Sequence, residues 1–136
     1  MPTTTISTSQ LWTSRVLAGL SVVFLLFDAA MKILRLPPAV QGSVELGFSP
    51  GSVPGIGALL LLCVVAYIIP RTSFLGAVLL TGYLGGAVAS QVRVGNPLFS
   101  HILFPTYVAA MIWGALYLRD TRLRTILFAL PARAHA

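Results

Sequence analysis

The chain has 136 residues, enough for one domain, and 57% of them are hydrophobic while only 9% are charged. Soluble domains carry about 25% charged residues, with which they cover their surface. This composition excludes a water-soluble globular protein and predicts that lipid surrounds most of the chain. The net charge of +6 does not indicate nucleic-acid binding, because the basic residues form no basic face interleaved with stacking aromatics.

Four apolar segments predict an all-α, integral membrane four-helix bundle that forms a single domain over residues 1–136. The predicted spans are 13–34, 53–69, 73–92 and 99–118. The first segment is predicted to be retained, not cleaved as a signal peptide, because it continues through Asp28 and Lys32 without a small-residue cleavage site. Flexible tails are predicted at 1–12 and 125–136.

Prolines and polar residues mark the ends of these spans. Pro37 and Pro38 are predicted to end the first span. In the longer connection that follows, residues 39–46 are predicted to form a short interfacial helix that carries Glu45. Pro105 lies one turn inside the fourth predicted span, where it is expected to kink the helix.

The third span is rich in small residues. Gly82 and Gly86 form a GxxxG pair, and Ser90 continues the four-residue step along the same helical face. Such a face allows helix backbones to approach closely. Two interpretations stay open, namely packing inside the bundle and a contact between copies in a homo-oligomer.

The distribution of basic residues predicts the orientation of the chain in the membrane. Six basic residues fall on one side of the four spans: Arg15, Arg71, Arg119, Arg122, Arg124 and Arg133. Three fall on the other side: Lys32, Arg35 and Arg93. The positive-inside rule therefore places both termini in the cytoplasm.

Polar residues inside a span are costly in lipid and therefore informative. Asp28 and Lys32 lie four residues apart in the first span, a spacing that allows an ion pair on one helix face. The pair is either structural or part of a functional site in which Asp28 carries a proton or anchors a substrate.

The topology brings further polar residues to the same outer layer of the membrane, where we expect any ligand site to lie. The candidate catalytic residues are Asp28, Lys32 and His101. The candidate substrate-binding residues are Glu45, Gln91, Arg93 and Tyr83.

No metal, haem or covalently bound cofactor is expected. His101 is the only histidine within the bundle, and the sequence has neither an HExxH nor a CxxCH motif. The single cysteine, Cys63, lies in an apolar run and is predicted to be a small buried hydrophobe.

Four segments resemble the DoxX-like family of small four-helix bacterial membrane proteins. They are FDAAMKIL at 27–34, VELGF at 44–48, PRTSFLGAVLLTGYLGGAVASQVRVGNPLF at 70–99 and LYLRDTRLR at 116–124. The resemblance covers about residues 15–131 and implies a location in the bacterial cytoplasmic membrane. Some members are linked to sulfur oxidation, as a membrane subunit of a thiosulfate–quinone oxidoreductase, whereas most have no established activity. Similar sequences often carry histidine at the position of Gln91, and this departure weakens a shared proton-transfer role there.

The leading functional hypothesis is an accessory or subunit of a membrane redox system. It would bind a quinone or another lipophilic small molecule near the outer face, oriented or protonated by Asp28, Arg93 and His101. Because the sequence contains no redox centre of its own, such a protein would need a partner. The alternatives are a small proton-coupled transporter centred on Asp28, an assembly protein that docks through the Gly82/Gly86 face, and an enzyme acting on a lipid-like substrate.

Overall fold

A computed structural model describes residues 6–126, and the described residues contain helices and turns but no strand. The helices are α1 (Thr8–Ile33), α2 (Pro37–Glu45), α3 (Val53–Ile68), α4 (Ser73–Arg93) and α5 (Phe104–Arg119). Short 3-10 turns at Pro50–Ser52 and Pro70–Thr72 precede α3 and α4, and a π-helical turn at Leu98–Ile102 precedes α5. With these turns, α1, α3, α4 and α5 are long and apolar enough to cross a membrane, which confirms the predicted four-span bundle.

The first helix begins earlier than predicted. The hydroxyl of Ser7 accepts a hydrogen bond from the Gln10 backbone at 3.2 Å, and the Gln10 side chain accepts one from the Ser7 backbone at 3.2 Å. This capping box starts α1 at Thr8, so residues 8–12 are helical although they were assigned to the N-terminal tail. The remaining predicted tail residues 1–5 and 127–136 lie outside the described part of the chain.

The end of α1 is a backbone motif and not a direct effect of the prolines. Arg35 adopts a left-handed conformation with φ +53°. The backbone N–H of Leu36 then reaches the Met31 carbonyl at 3.0 Å, and that of Arg35 reaches the Lys32 carbonyl at 3.2 Å. These two bonds form a Schellman motif, which satisfies carbonyls at the helix end. Pro37 opens α2, where its missing donor is not needed.

The four spanning helices form a square. Helix α1 packs against α3 and α5, and α4 packs against the same two helices, so α1 and α4 face each other across the diagonal. The core between them is apolar and includes Cys63, which is buried as predicted. The outward faces carry exposed apolar side chains such as Val23 and Leu62, as expected where lipid is the solvent.

The glycines that allow close helix packing are not those of the GxxxG pair. A Cβ on Gly57 would lie 2.7 Å from the Lys32 Cβ, and one on Gly76 would overlap the backbone of Tyr67. A Cβ on Gly82 or Gly86 would meet no atom within 4 Å. The interpretation of Gly82 and Gly86 as packing residues inside the bundle is therefore wrong, and their face is open.

The prediction that Pro105 kinks the fourth helix from within is also wrong. The span is broken before the proline, between the π-helical turn and α5, and Pro105 lies in the first turn of α5. A proline in that position leaves no hydrogen bond unmade, because the first backbone N–H groups of a helix have no helical partner.

The bundle has two unlike ends. The cavity end contains the last turns of α1 and α4, the first turns of α3 and α5, the helix α2 and residues 94–103. The closed end contains the first two turns of α1 and α4, the last two turns of α3 and α5, the Pro70–Thr72 turn and residues 119–126, of which 121–126 are helical. The predicted orientation would place the cavity end outside the cell.

Candidate functional site

A cavity of about 640 Å³ opens at the cavity end. This volume lies within the ~300–1,000 Å³ that small-molecule sites usually occupy. Helices α1, α2, α4 and α5 all contribute to its wall. One part of that wall is apolar and consists of Phe24, Leu25, Leu84, Phe104 and Val108.

The polar part of the wall is centred on the ammonium group of Lys32. Its Nζ lies 2.5 Å from the Asp28 Oδ2, which confirms the predicted ion pair, and it donates to the Tyr83 Oη at 3.3 Å. Asp28 and Lys32 belong to α1 and Tyr83 to α4, so this bridge spans the diagonal of the square. The Lys32 side chain is only 15% exposed, whereas that of Asp28 is 34% exposed.

The position of Lys32 follows from the close crossing of α1 and α3. Gly57 of α3 lies directly against the Lys32 Cβ, with the backbone of Ala29 and Ile33 beside it. Because no side chain intervenes at Gly57, the two helices approach closely there. The Lys32 stem is thereby held against α3, and its ammonium points across the bundle to Tyr83.

The bridge leaves hydrogen-bond donors available. An ammonium group has three N–H donors, and within the described chain Lys32 uses them toward Asp28 and Tyr83 only. Tyr83 accepts from Lys32, so its own O–H remains to donate. Ser43 of α2 also lines the cavity and is 6% exposed, yet its hydroxyl makes no hydrogen bond within the described residues. The site is therefore suited to a ligand with acceptor oxygens.

The structure brings six of the seven predicted site residues to this cavity, the further members being Glu45, Gln91 and His101. Gln91 accepts a hydrogen bond from the side chain of Asn96, and the His101 Nδ1 lies 2.8 Å from the Ser100 Oγ. The described residues contain no group of three His, Cys, Asp or Glu side chains that could hold a metal ion.

Arg93 is the predicted site residue that does not line the cavity. Its guanidinium group lies against Gly47, where an added Cβ would come within 2.9 Å of the Arg93 Nη2. Gly47 has φ +93°, a backbone conformation that side chains rarely adopt. Arg93 is therefore an exposed residue that contacts the turn after α2.

Two polar lining residues, Ser43 and Asn96, were missed from the sequence. Ser43 lies in the connection that was predicted to hold a short interfacial helix, now seen as α2 (Pro37–Glu45). A signal was available, because Ser43 and Glu45 lie in one short amphipathic segment above the layer of Asp28 and Lys32. Asn96 lies between the predicted spans 73–92 and 99–118, in a connection that carried no site prediction.

Comparison with known proteins assigns the chain to a family. The family model described as the DoxX-like family matches residues 16–115, which include α1 from its third turn onward, α2, α3, α4 and most of α5. No curated protein and no solved structure matches the chain. The match covers most of the 136 residues and agrees with the resemblance noted in the sequence, and the chain is therefore a multi-pass membrane protein of the DoxX-like family.

Proposed function

We propose that this protein binds a lipophilic carbonyl compound such as a quinone in the cavity, and serves as an accessory or subunit of a membrane redox system. The observation that carries the proposal is the Lys32 bridge. An ammonium held between Asp28 and Tyr83 in the wall of an open cavity, with apolar residues in other parts of that wall, matches a ligand that is polar at one edge and apolar elsewhere.

The charges at the site favour a neutral acceptor over an anion. Asp28 lies 2.5 Å from Lys32 and offsets its charge, so the pair together carries no net charge. A phosphate or carboxylate placed on Lys32 would also approach the Asp28 carboxylate, and this repulsion is strong where the local dielectric constant is low. A carbonyl oxygen can accept from Lys32, Tyr83 and Ser43 without that repulsion.

The redox role assigns electron transfer to a partner protein. The proposed part of this chain is to hold and orient the carrier and to supply hydrogen bonds to its oxygen, with Asp28 as the nearest carboxylate for a proton. The cavity opening lies at the end of the bundle, where a carrier in the lipid and a partner at the membrane surface can both reach it.

The proposal is tested by direct binding of a decyl-substituted benzoquinone to the purified protein in lipid nanodiscs. Tyr83→Phe removes one hydroxyl donor and should weaken binding about fivefold to tenfold, the effect of one hydrogen bond. Tyr107→Phe is the matched control, because the Tyr107 hydroxyl donates to the Phe99 carbonyl and does not line the cavity. The absence of saturable binding to the unchanged protein, together with only bulk lipid in native preparations examined by mass spectrometry, would refute the proposal.

We further propose a location in the bacterial cytoplasmic membrane with the cavity end outside. In a Cys63→Ser background, a single cysteine at Ser100 should react with an impermeant maleimide on intact cells. One at Thr125 should react only after permeabilisation. Both positions are exposed, at the cavity end and the closed end respectively. The reverse labelling pattern would invert the orientation and leave the ligand proposal intact.

A further inference from the structure

A second open space, a groove of about 380 Å³, lies between α3 and α4. Ile56 and Leu59 of α3 form one side, and Gly82 and Gly86 of α4 lie on the other. Because a Cβ on either glycine would meet no atom within 4 Å, the backbone of α4 forms an open floor there. The groove lies on the flank of the bundle, where lipid surrounds the protein.

The groove and the cavity share part of their walls. The residues that line both are Lys32, Ser43, Leu46, Tyr83 and Ala87. The polar residues among them, Lys32, Ser43 and Tyr83, form a polar junction between the two spaces and are the residues with available donors. Ser43 is more than nine-tenths buried and has no hydrogen-bond partner in the described chain. Beyond this junction the groove is mostly apolar, and the hydroxyl of Ser90 is already bonded to the Gly86 carbonyl at 2.9 Å.

We propose that the groove holds the hydrocarbon tail of the ligand whose carbonyl head lies in the cavity; this inference rests on the function proposed above. The two spaces then form one site for a neutral head with a single acyl or isoprenoid tail. The Ser43 hydroxyl donates to the head oxygen nearest the point where the tail leaves the cavity.

The polar junction distinguishes this occupant from a helix of a second copy. A glycine face also suits helix packing, and a second copy placed on Gly82 and Gly86 would cover the groove. If the same face of the second copy docked there, however, the one side-chain acceptor that it would bring is the Ser90 hydroxyl, which already donates to the Gly86 carbonyl. A ligand with a carbonyl head satisfies the Ser43 hydroxyl and fills the groove with the same molecule.

We expect the groove to determine the direction of the ligand's tail and to add little to the binding affinity of the ligand. A tail gains little hydrophobic energy on leaving lipid for the groove, because lipid chains are equally apolar. The head therefore supplies most of the binding energy, and the groove fixes the direction of the tail by van der Waals contact. The experiment must consequently locate the tail and not only measure an affinity.

The test is photo-crosslinking of the full chain in nanodiscs with a benzoquinone that carries a diazirine near the end of its alkyl tail. Cross-links mapped by peptide mass spectrometry are expected on Ile56, Leu59 or Gly86, and an excess of tailless benzoquinone should abolish them. Gly86→Leu places a side chain in the groove and should lower this labelling about tenfold. Gly85→Leu is the matched control and should leave it unchanged, because Gly85 is equally open but does not line the groove.

The outcomes separate this inference from the function on which it rests. Labelling that the tailless benzoquinone abolishes but that maps to another face would overturn the tail groove and leave the proposed function standing. If the tailless benzoquinone abolished no labelling at any position of the protein, both the tail groove and the proposed function would be overturned. A dimer that Gly86→Leu converts to a monomer, with no labelling of the groove, would assign the groove to a second copy and overturn the inference.

Discussion

The two ends of the bundle use their polar side chains in opposite ways. At the closed end they bond to backbone carbonyls of neighbouring helices: Tyr67 donates to Ile112 at 3.0 Å, and Ser14 donates to Ala115 at 2.8 Å. At the cavity end Lys32 instead bonds to the side chains of Asp28 and Tyr83, and among residues 6–126 its third N–H donor has no partner. Polar side chains therefore connect neighbouring helices at the closed end, whereas at the cavity end they line an open space.

This difference separates stability from binding. Polar groups in a membrane protein are costly unless they are paired, and at the closed end the pairs lie between helices and hold them together. At the cavity end the diagonal bridge crosses a space that side-chain packing could otherwise fill. Substitutions that disturb the helix contacts of the closed end should therefore lower stability and leave ligand binding intact, whereas substitutions of the polar residues that line the cavity should lower binding more than stability.

The largest expected effect is at the closed end. Gly76→Ala would place a Cβ over the backbone of Tyr67 and 2.7 Å from the Ala66 carbonyl carbon. Because backbone must move to relieve this overlap, we expect a loss of about 3 kcal/mol in unfolding free energy. Thermal unfolding in detergent, followed by circular dichroism, measures the loss.

The same substitution at Gly85 is the control for Gly76. A Cβ on Gly85 meets no atom within 4 Å, and alanine favours a helix by about 1 kcal/mol over glycine. Gly85→Ala should therefore be as stable as the unchanged protein or slightly more so. Equal stability of the two variants would show that the close contact of α3 and α4 at Gly76 contributes nothing.

The next largest effect tests the bridge at the cavity end. Lys32→Met removes the ammonium and leaves the Asp28 carboxylate without its partner, at a cost of about 1–2 kcal/mol. This figure is below that for a fully buried pair because the Asp28 side chain is 34% exposed. Binding of the decyl-substituted benzoquinone should fall at least tenfold, since its main donor is lost.

The double variant Asp28→Asn, Lys32→Met separates the two consequences. It removes both charges and should regain much of the lost stability, as expected for coupled partners in a double-mutant cycle. It should not regain ligand binding. Recovery of both properties together would mean that Lys32 supports the fold and takes no part in binding.

The fold could be predicted from the sequence in most respects because it rests on apolar length and on turn residues. The span predicted at 53–69 agrees with α3 (Val53–Ile68), and that at 73–92 agrees with α4 (Ser73–Arg93). Errors arose where local hydrogen bonds decide the outcome. The capping box at Ser7 extends α1, and the break before Pro105 depends on a π-helical turn that no hydropathy pattern reveals.

The sequence predicts the membrane depth of the site but not which residues line it. Helical order and direction place Asp28, Lys32 and His101 at the same membrane depth, but which face each residue presents depends on how the helices rotate. Arg93 lies at that depth but does not line the cavity. Gly82 and Gly86 form a motif compatible with packing either inside or outside the bundle, and only the arrangement of α3 and α4 shows that they are open.

A smaller effect is expected for Arg124 at the closed end. Its guanidinium donates to the carbonyls of Tyr117 at 2.6 Å and Leu118 at 2.7 Å, which end α5. Arg124→Ala should lower the unfolding free energy by about 1 kcal/mol and leave benzoquinone binding unchanged. Arg122→Ala removes the same charge from an exposed side chain and should change neither property. A loss of binding in Arg124→Ala would show that the two ends are coupled.

The smallest effect has the opposite sign and lies at the cavity end. Arg35 holds a left-handed backbone with φ +53° at the Schellman motif after α1, a position that glycine occupies with less strain. Arg35→Gly should therefore raise the unfolding free energy by about 0.5–1 kcal/mol. Arg35 does not line the cavity, so benzoquinone affinity should stay the same. A fall in stability would instead mean that the Arg35 side chain contributes more than its backbone strain costs, and that the cavity end is held together by contacts beyond the Lys32 bridge.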